Sequence, residues 1–174
     1  VNQLVLEGLF GRCSQVTKTS KLMKRGYVAK LKVQVILLKH DEKLFEGYQD
    51  EMDYLVEHSG RNNFIKKLAI DLKGNTLILF NYVDRHGIPL FNLINSHTDQ
   101  PVYLVHGGID TDDREDIRIL TEKADNAIIV ASYGTFSTGI NIRNLHNVIF
   151  ASPSKSRIRN LQSIGRVLRK GDNK

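Results

Sequence analysis

Four short apolar runs constrain the fold more than any other feature of the sequence. They are TLILF (76–80), PVYLV (101–105), NAIIVA (126–131) and NVIFA (147–151), all rich in branched residues, and helix-length segments separate the first three. Strands of this kind are buried on both faces, which is typical of a parallel sheet covered by helices. The sequence therefore predicts an α/β fold of three layers with a mainly parallel sheet.

The region before these runs predicts one more strand and two helices. KLKVQVILLKH (30–40) alternates and then becomes apolar, which indicates a strand. DEMDYLVEHSG and NNFIKKLAIDLKG carry apolar residues at helical spacing, and Gly74 ends the second. Residues 1–29 are basic and weakly patterned, as in an arm or connector, so we expect residues 30–174 to form the domain.

Composition narrows the class of protein further. The single cysteine, Cys13, excludes an internal disulfide and a Cys-rich zinc site, and it favours a reducing, cytoplasmic compartment. No apolar run approaches the roughly 20 residues that span a bilayer, so no membrane partner is expected. The chain begins with Val1 and ends soon after its last predicted helix, and we therefore expect it to be part of a longer protein.

Charge is distributed unevenly along the chain. Residues 1–40 carry eight basic residues against one acidic, residues 41–130 carry nine against 17, and residues 131–174 carry eight against one. If the two basic ends lie together, they form a cationic face suited to nucleic acid or nucleotide phosphates. A solvated basic surface without a partner is the alternative that charge alone leaves open.

The predicted last helix, within NLQSIGRVLRKG (160–171), carries the most specific signal. At 100° per residue, a stripe about 80° wide holds four polar residues, and an apolar sector adjoins it. The stripe contains Arg159, Gln162, Arg166 and Arg169, and the sector contains Ile158, Leu161, Ile164, Gly165 and Leu168. We therefore expect the arginines to flank the buried face at the rim of a cleft, and Gly165 to allow close approach of another backbone.

Planar, permanently charged guanidinium groups suit phosphate oxygens, and two of them one turn apart can hold one phosphoryl group. This is the requirement for arginine fingers in phosphoryl transfer. The alternative is that Arg169 and Lys170 merely complement a helix C-terminus closed by Gly171. That alternative leaves Gln162 and Arg166 unexplained.

Acidic residues elsewhere have simpler explanations. In TDDREDIRILTEKA, Thr111 is the predicted cap and the acids of the first turns favour the positive end of the helix dipole. Asp41 and Glu42 follow an apolar run at a distance that suits a turn better than a magnesium site. The sequence contains no G-x-x-x-x-G-K-[ST] motif, so it predicts arginine fingers without a phosphate-binding loop.

Several stretches in order resemble one family. LQSIGRVLRK resembles motif VI of superfamily 2 helicases, and VASYGTFSTGINIRNLHNVIFASPS resembles their motif V. TLILFNYVDRHG resembles motif IV, and VYLVHGG resembles the short motif after the next strand. The match covers residues 76–170 and is nearest to phage recombination helicases of the UvsW type, which are related to the XPB and restriction-enzyme branch.

The resemblance implies a second RecA-like domain, with ATP and Mg²⁺ bound mainly by a first RecA-like domain that supplies the P-loop and magnesium acids. It places Arg166 and Arg169 toward the γ-phosphate and Gln162 beside them or the attacking water. Gly139, Asn141 and Gly165 would line the nucleotide side. Many members have aspartate where this chain has Asn141, and asparagine does not carry the charge that aspartate supplies there.

The resemblance also implies a nucleic-acid track. The family grips the phosphate backbone largely with main-chain N–H groups and small hydroxyls, which carry no sequence preference. The matching positions are Asn81, His106, Gly107, Ser132, Gly134 and Thr135. His106 could equally be a satisfied loop histidine, and no second metal ligand is spaced to partner it.

Together these observations predict the C-terminal motor domain of an ATP-dependent helicase or translocase acting on branched DNA in recombination and fork repair. Its expected partners are DNA, single-stranded or branched, with RNA–DNA hybrids as an alternative, and the first RecA-like domain. The rival interpretation is a RecA-like module that binds nucleic acid or a partner without catalysis, or half of an RNA helicase.

Overall fold

The computed structural model describes residues 3–12, 14, 16–39, 43–138, 142–154 and 156–167. Two short helices, α1 (Gln3–Phe10) and α2 (Thr19–Lys24), precede the sheet domain, and α3 (Tyr48–Glu57) and α4 (Ser59–Asp71) lead into it. The remaining elements are β1 (Thr76–Phe80), a π-helical turn (Val83–Gly87), α5 (Ile88–Asn95), β2 (Val102–Val105), α6 (Thr111–Lys123), β3 (Ile128–Ser132), α7 (Tyr133–Thr138), β4 (Asn147–Phe150) and α8 (Arg157–Val167).

The four strands form one sheet in the order β2-β3-β1-β4, and every pairing is parallel. Thr76, at the start of β1, lies opposite Ile128 of β3 and Asn147 of β4. All five residues of β1 are buried, whereas β2 and β4 are partly exposed because they are the outermost strands of the sheet. The predicted parallel α/β sheet is confirmed.

Alternate residues of the strands pack into two separate hydrophobic cores, one on each face of the sheet. Leu77 and Leu79 of β1 pack on the side that carries α7, and Ile78 and Phe80 pack on the side that carries α4 and α5. This alternation follows from the period of two in a β-strand. Helices therefore cover both faces, and the predicted three layers are present.

The predicted strand at 30–40 is wrong. Residues 30–39 are neither helix nor strand, and Val33, Val35 and Leu37 are 69%, 83% and 88% exposed. A strand exists only through pairing, and the alternating pattern supplies apolar side chains without supplying a neighbour. The predicted helices are confirmed as α3 and α4, with Met52, Val56, Ile65 and Ala69 buried.

Thr111 is not the cap of α6. The helix begins at Thr111, Asp110 occupies the N-cap position, and that residue makes no side-chain capping hydrogen bond. Asp112 and Asp113 do lie in the first turn, as predicted, where the helix dipole favours negative charge. The predicted turn at Asp41 and Glu42 lies outside the described residues.

Asn75, immediately before β1, closes the amino end of the sheet. Its buried side-chain amide donates to the carbonyls of Thr121, Ala124 and Asn144, at 2.8, 2.8 and 2.9 Å. Its side-chain oxygen accepts from the N–H of Ala127 at 2.8 Å. One side chain therefore joins the end of α6 to the approaches to β3 and β4.

Gly74 makes the turn that brings Asn75 into place. Its φ of +84° lies in the left-handed region, and an added Cβ would come within 2.6 Å of the His146 ring. The turn therefore needs glycine for both its backbone conformation and its space. None of the described helices combines the length and apolar character needed to cross a membrane.

Candidate functional site

The predicted nucleic-acid residues lie together at one edge of the sheet. Parallel strands all end at the same edge, so the loops after β1, β2 and β3 are neighbours there. In strand order, this carboxyl edge carries His106 and Gly107 after β2, Ser132 to Thr135 after β3, Asn81 after β1, and residues 151–154 after β4. The fold therefore brings residues from four separate stretches of sequence to one edge.

Ser132, the last residue of β3, and Thr135, in the first turn of α7, are joined where the strand passes directly into the helix. The Ser132 hydroxyl accepts from the Thr135 N–H at 3.3 Å and donates to the Thr135 hydroxyl at 2.9 Å. This arrangement is that of a helix N-cap, which uses a side-chain oxygen to satisfy a free backbone N–H. Gly134 is exposed, and an added Cβ would meet no atom within 4 Å. The turn is ordered by its own hydroxyls and has an open surface at Gly134.

The loop after β2 is internally bonded and borders an acidic helix. The Nδ1 of His106 accepts from the N–H of Gly108 at 3.1 Å, and the Gly107 carbonyl accepts from the Arg114 guanidinium at 3.0 Å. His106 thus does what the satisfied-loop alternative expects. The adjacent first turn of α6 bears Asp112 and Asp113, which oppose a phosphate chain on this side.

The loop after β4 is held from several directions. Asn81, which is exposed, donates its backbone N–H to the Ser152 hydroxyl at 3.2 Å and its side-chain amide to the Pro153 carbonyl at 3.1 Å. Tyr133 donates its hydroxyl to the Ser152 carbonyl at 2.9 Å. Arg61, from α4, donates to the Ala151 carbonyl. This loop leads directly into α8.

Helix α8 is present, but the prediction of its buried face is wrong in two residues. Leu161 is 56% exposed and Gly165 is exposed with no atom within 4 Å of an added Cβ, whereas Ser163 is 2% exposed. The helix contacts α7 and β4, and Ser163 is its buried residue among those whose side chains are described. Leu161 and Gly165 therefore do not lie on a buried face, and no atom of the described residues comes close to Gly165; the side chain of Ile158 and the whole of Leu168 lie outside the described part of the structure.

The phosphate-facing candidates are only partly described. Gln162 is exposed on α8, and the backbone of Arg166 belongs to the same helix, while its side chain lies outside the described part of the structure. Gly139, Asn141 and Arg169 also lie outside the described residues. Their roles stay predictions.

A buried polar chain beneath this edge was missed by sequence reasoning. His86, with 0% exposure, contacts the Ser152 hydroxyl through Nδ1 at 3.1 Å and the Asn62 side-chain oxygen through Nε2 at 3.2 Å. The Asn62 amide in turn donates to the Val56 carbonyl at 2.8 Å. In the sequence VDRHG this histidine resembles a turn residue, and the one clue to its burial is the adjacent Gly87.

Burial and a nearby cation keep His86 neutral. Desolvation, followed by the charge of Arg61, lowers the pKa of His86 to about 4. Burial also lowers the pKa of the Arg61 guanidinium, although arginine remains charged. Neutral imidazole has one donor and one acceptor nitrogen, which is what this chain of hydrogen bonds requires.

The donor groups at the carboxyl edge suit an anion better than a metal. In the part of the chain that the structure describes, no three His, Cys, Asp or Glu side chains lie close enough to hold a metal ion. The edge instead offers hydroxyls, amides and exposed glycine backbone, which bind phosphate oxygens. Such groups fit the phosphates of a nucleotide or a nucleic acid.

A parallel sheet in this order, with helices on both faces and its working loops at the carboxyl edge, defines a RecA-like α/β domain. The comparison with known sequences then identifies the family. The chain belongs to the helicase conserved C-terminal domain family, whose profile matches residues 60–171.

Two matches to individual proteins agree with this assignment. Over 175 aligned residues and 96% of its length, the chain is 42% identical to the ATP-dependent DNA helicase uvsW of Enterobacteria phage T4. It spans 34% of that relative's length. The crystal structure of T4 UvsW superposes with a TM-score of 0.61 at 44% identity, covering 70% of this chain and 25% of the other. The resemblance to superfamily 2 helicases is confirmed.

Proposed function

We propose that this chain is the C-terminal motor domain of an ATP-dependent DNA helicase or translocase that acts on branched DNA in recombination and fork repair. The observation that carries the proposal is the convergence of four loops and the start of α8 at one sheet edge. A match to a DNA helicase of phage T4 supports DNA as the nucleic acid and the cytoplasm of a host cell as the compartment.

In this proposal the chain supplies half of an ATPase site. Arg166 and Arg169 act as arginine fingers on the γ-phosphate, Gln162 orients them or the attacking water, and Gly139 and Asn141 line the nucleotide. A first RecA-like domain holds most of ATP and Mg²⁺, whose chemistry is to neutralise charge on the transferred phosphoryl group. The isolated chain is accordingly expected to hydrolyse no ATP.

The track for nucleic acid follows the carboxyl edge. Exposed backbone at Gly134 and the amide of Asn81 suit phosphate contacts. Asp112 and Asp113 of α6 repel phosphate, so the nucleic-acid strand lies on the side away from them. Such contacts carry no sequence preference, as a translocating motor requires.

The first test changes the arginines in the longer protein that joins this chain to a P-loop domain. Replacing Arg166 or Arg169 with alanine should lower ATP turnover by about 10³-fold or more, because finger arginines act on charge that develops during transfer. Binding of nucleotide and DNA should change much less. Steady-state ATPase assays with separate binding titrations measure both quantities.

Two control variants sharpen this test. Arg166→Lys should rescue poorly because an ammonium group cannot reproduce the forked donor. Arg159→Ala, on the same helix but outside the motif spacing, should keep near-normal turnover. If the Arg166→Ala variant lost melting temperature and activity in proportion, the pair would be structural and the proposal would fail.

The second test measures binding of single-stranded DNA by this chain as a function of salt. Log affinity should fall linearly with log salt between about 50 and 200 mM, because phosphate contacts release counterions. Replacing Lys21 and Lys24 of α2 with Gln should lower the slope by about 1–2. The matched control replaces the exposed Lys73 and Lys123, near the amino end of the sheet, and should leave the slope unchanged. Equal slopes in all three proteins would remove the basic arm from the track.

A further inference from the structure

The described residues of the loop between β4 and α8 make hydrogen bonds to several other elements, although the loop contributes none of the predicted contacts. Residues 151–153 accept hydrogen bonds from α4, from Asn81 after β1 and from α7, and Ser152 also bonds to His86 of the π-helical turn. Asn160 of α8 donates its amide to the Ser154 carbonyl at 3.0 Å, which continues the bonding into the helix. The position of α8 is therefore set by the position of this loop.

The hydrogen bonds through His86 have one consistent direction. Because the Asn62 amide nitrogen donates to Val56, its side-chain oxygen faces His86 and must accept the Nε2 proton. Nδ1 of His86 is then the acceptor, and the Ser152 hydroxyl donates to it. The same hydroxyl accepts the Asn81 N–H. Every donor in this series of hydrogen bonds, from Asn81 to Val56, has an acceptor. The bonds therefore specify the neutral Nε2–H tautomer of His86.

A π-helical turn presents His86 at this point. Turns of this kind are rare and occur frequently at functional sites. An added Cβ at Gly87 would clash with the Phe80 ring, so the turn is packed tightly against the end of β1. The imidazole is thereby fixed between α4 and the loop after β4, with little freedom to adopt another rotamer.

We infer that His86 is a positioning residue for helix α8. Through its hydrogen bond to Ser152 it fixes the loop from which α8 departs, and so sets where Arg166 and Arg169 can reach. This inference rests on the proposed function for its effect on ATP hydrolysis. Its structural half, the control of α8 by His86, is independent of that function.

Two substitutions separate the two hydrogen bonds of the imidazole. Asparagine places its side-chain oxygen where Nδ1 stands and can keep the bond to Ser152. Glutamine reaches toward Asn62, where Nε2 stands, and loses the acceptor for Ser152. The inference gives these variants different activities, whereas a purely structural role gives them similar ones. Ser152→Ala removes the same bond from the other side, together with the acceptor of the Asn81 N–H.

The first measurement is hydrogen exchange of this chain, which needs no nucleotide. His86→Gln and Ser152→Ala should raise the exchange rates of α8 amides about tenfold while β1 and β3 keep their protection, and His86→Asn should stay within about twofold of the wild type. Ser96→Ala, at an exposed serine after α5, is the matched control. Unchanged α8 exchange in both His86→Gln and Ser152→Ala would overturn the inference.

The second measurement is ATP turnover in the longer protein, at a temperature where every variant is folded. His86→Gln and Ser152→Ala should lower kcat about tenfold with KM for ATP within twofold, and His86→Asn should retain most activity. Equal losses in His86→Asn and His86→Gln that follow their melting temperatures would overturn the positioning role. If Arg166→Ala left turnover intact, the proposed function would fail, and the exchange data would still decide whether His86 controls α8.

Discussion

An asparagine lies at each end of the sheet, and the two differ in burial and in hydrogen bonding. At the amino end, one buried side chain, Asn75, fills its hydrogen-bonding capacity with backbone groups from three later segments. At the carboxyl end, Asn81 is exposed and makes one bond through its side chain. The same residue type therefore closes one end and leaves the other available to ligands. At the amino end the fold encloses the polar side chain, whereas at the candidate site the loops are ordered by hydrogen bonds and keep Asn81 and Gly134 exposed.

The largest expected effect separates these two asparagines. Asn75→Ala should lower the free energy of unfolding by about 3–5 kcal/mol, because it removes the acceptor of the buried Ala127 N–H and the amide donor that the Thr121, Ala124 and Asn144 carbonyls share. Asn81→Ala should cost less than about 1 kcal/mol, since its amide is exposed. Urea unfolding of this chain measures both. Similar costs would show that the two ends do not differ in this way.

The next effect concerns the buried imidazole near the carboxyl end. Its pKa of about 4 in the folded protein lies below its ordinary value of 6.5, so the unfolded chain binds more protons between these values. Stability should therefore be fully present above pH 6.5 and should fall by about 2–3 kcal/mol on going to pH 4.5.

His86→Asn is the control for this pH effect. Carboxylates also titrate in part of this range, and their contribution is common to both proteins. The difference in unfolding free energy between wild type and His86→Asn should therefore shrink as the pH falls. A constant difference from pH 7 to pH 4.5 would mean that His86 is protonated equally in the folded and unfolded states.

A smaller effect compares two glycines. Gly74→Ala should cost about 2 kcal/mol, since its φ is positive and its Cβ would approach His146. Gly107→Ala, where an added Cβ meets no atom within 4 Å, should change stability by less than about 0.5 kcal/mol. Thermal unfolding with circular dichroism is sufficient. The effect of Gly107→Ala on DNA binding, measured in parallel, tests whether DNA contacts the open surface at Gly107.

The elements that the sequence predicted well are those whose signal is local. Each strand of the sheet is a run of branched apolar residues, and for the inner strands β1 and β3 the burial on both faces is evident from the run itself, as in TLILF of β1. The helices α3 and α4 likewise show their buried face in their own spacing. For these segments the hydrophobic period was enough to predict the fold class.

Apart from the helix cap misplaced by one residue at Thr111, the predictions that were wrong concern segments whose structure depends on a distant partner. The alternation in 30–40 could not show whether a neighbouring strand exists, and the apolar sector of α8 could not show which side meets the domain. His86 was missed for the same reason, because its partners Asn62 and Ser152 lie far away in sequence. At the candidate site, motif resemblance located the loops, while only the fold showed how they are held.

The strand order also has a consequence for synthesis. The central strand β1 is made first, yet its neighbours β3 and β4 follow about 50 and about 70 residues later in the chain. Until β3 and β4 are translated, β1 has no neighbouring strand to pair with, and its five residues stay unburied. An unpaired apolar strand is a template for association with other chains. The strand that is completely buried in the finished domain is therefore exposed to association with other chains during synthesis.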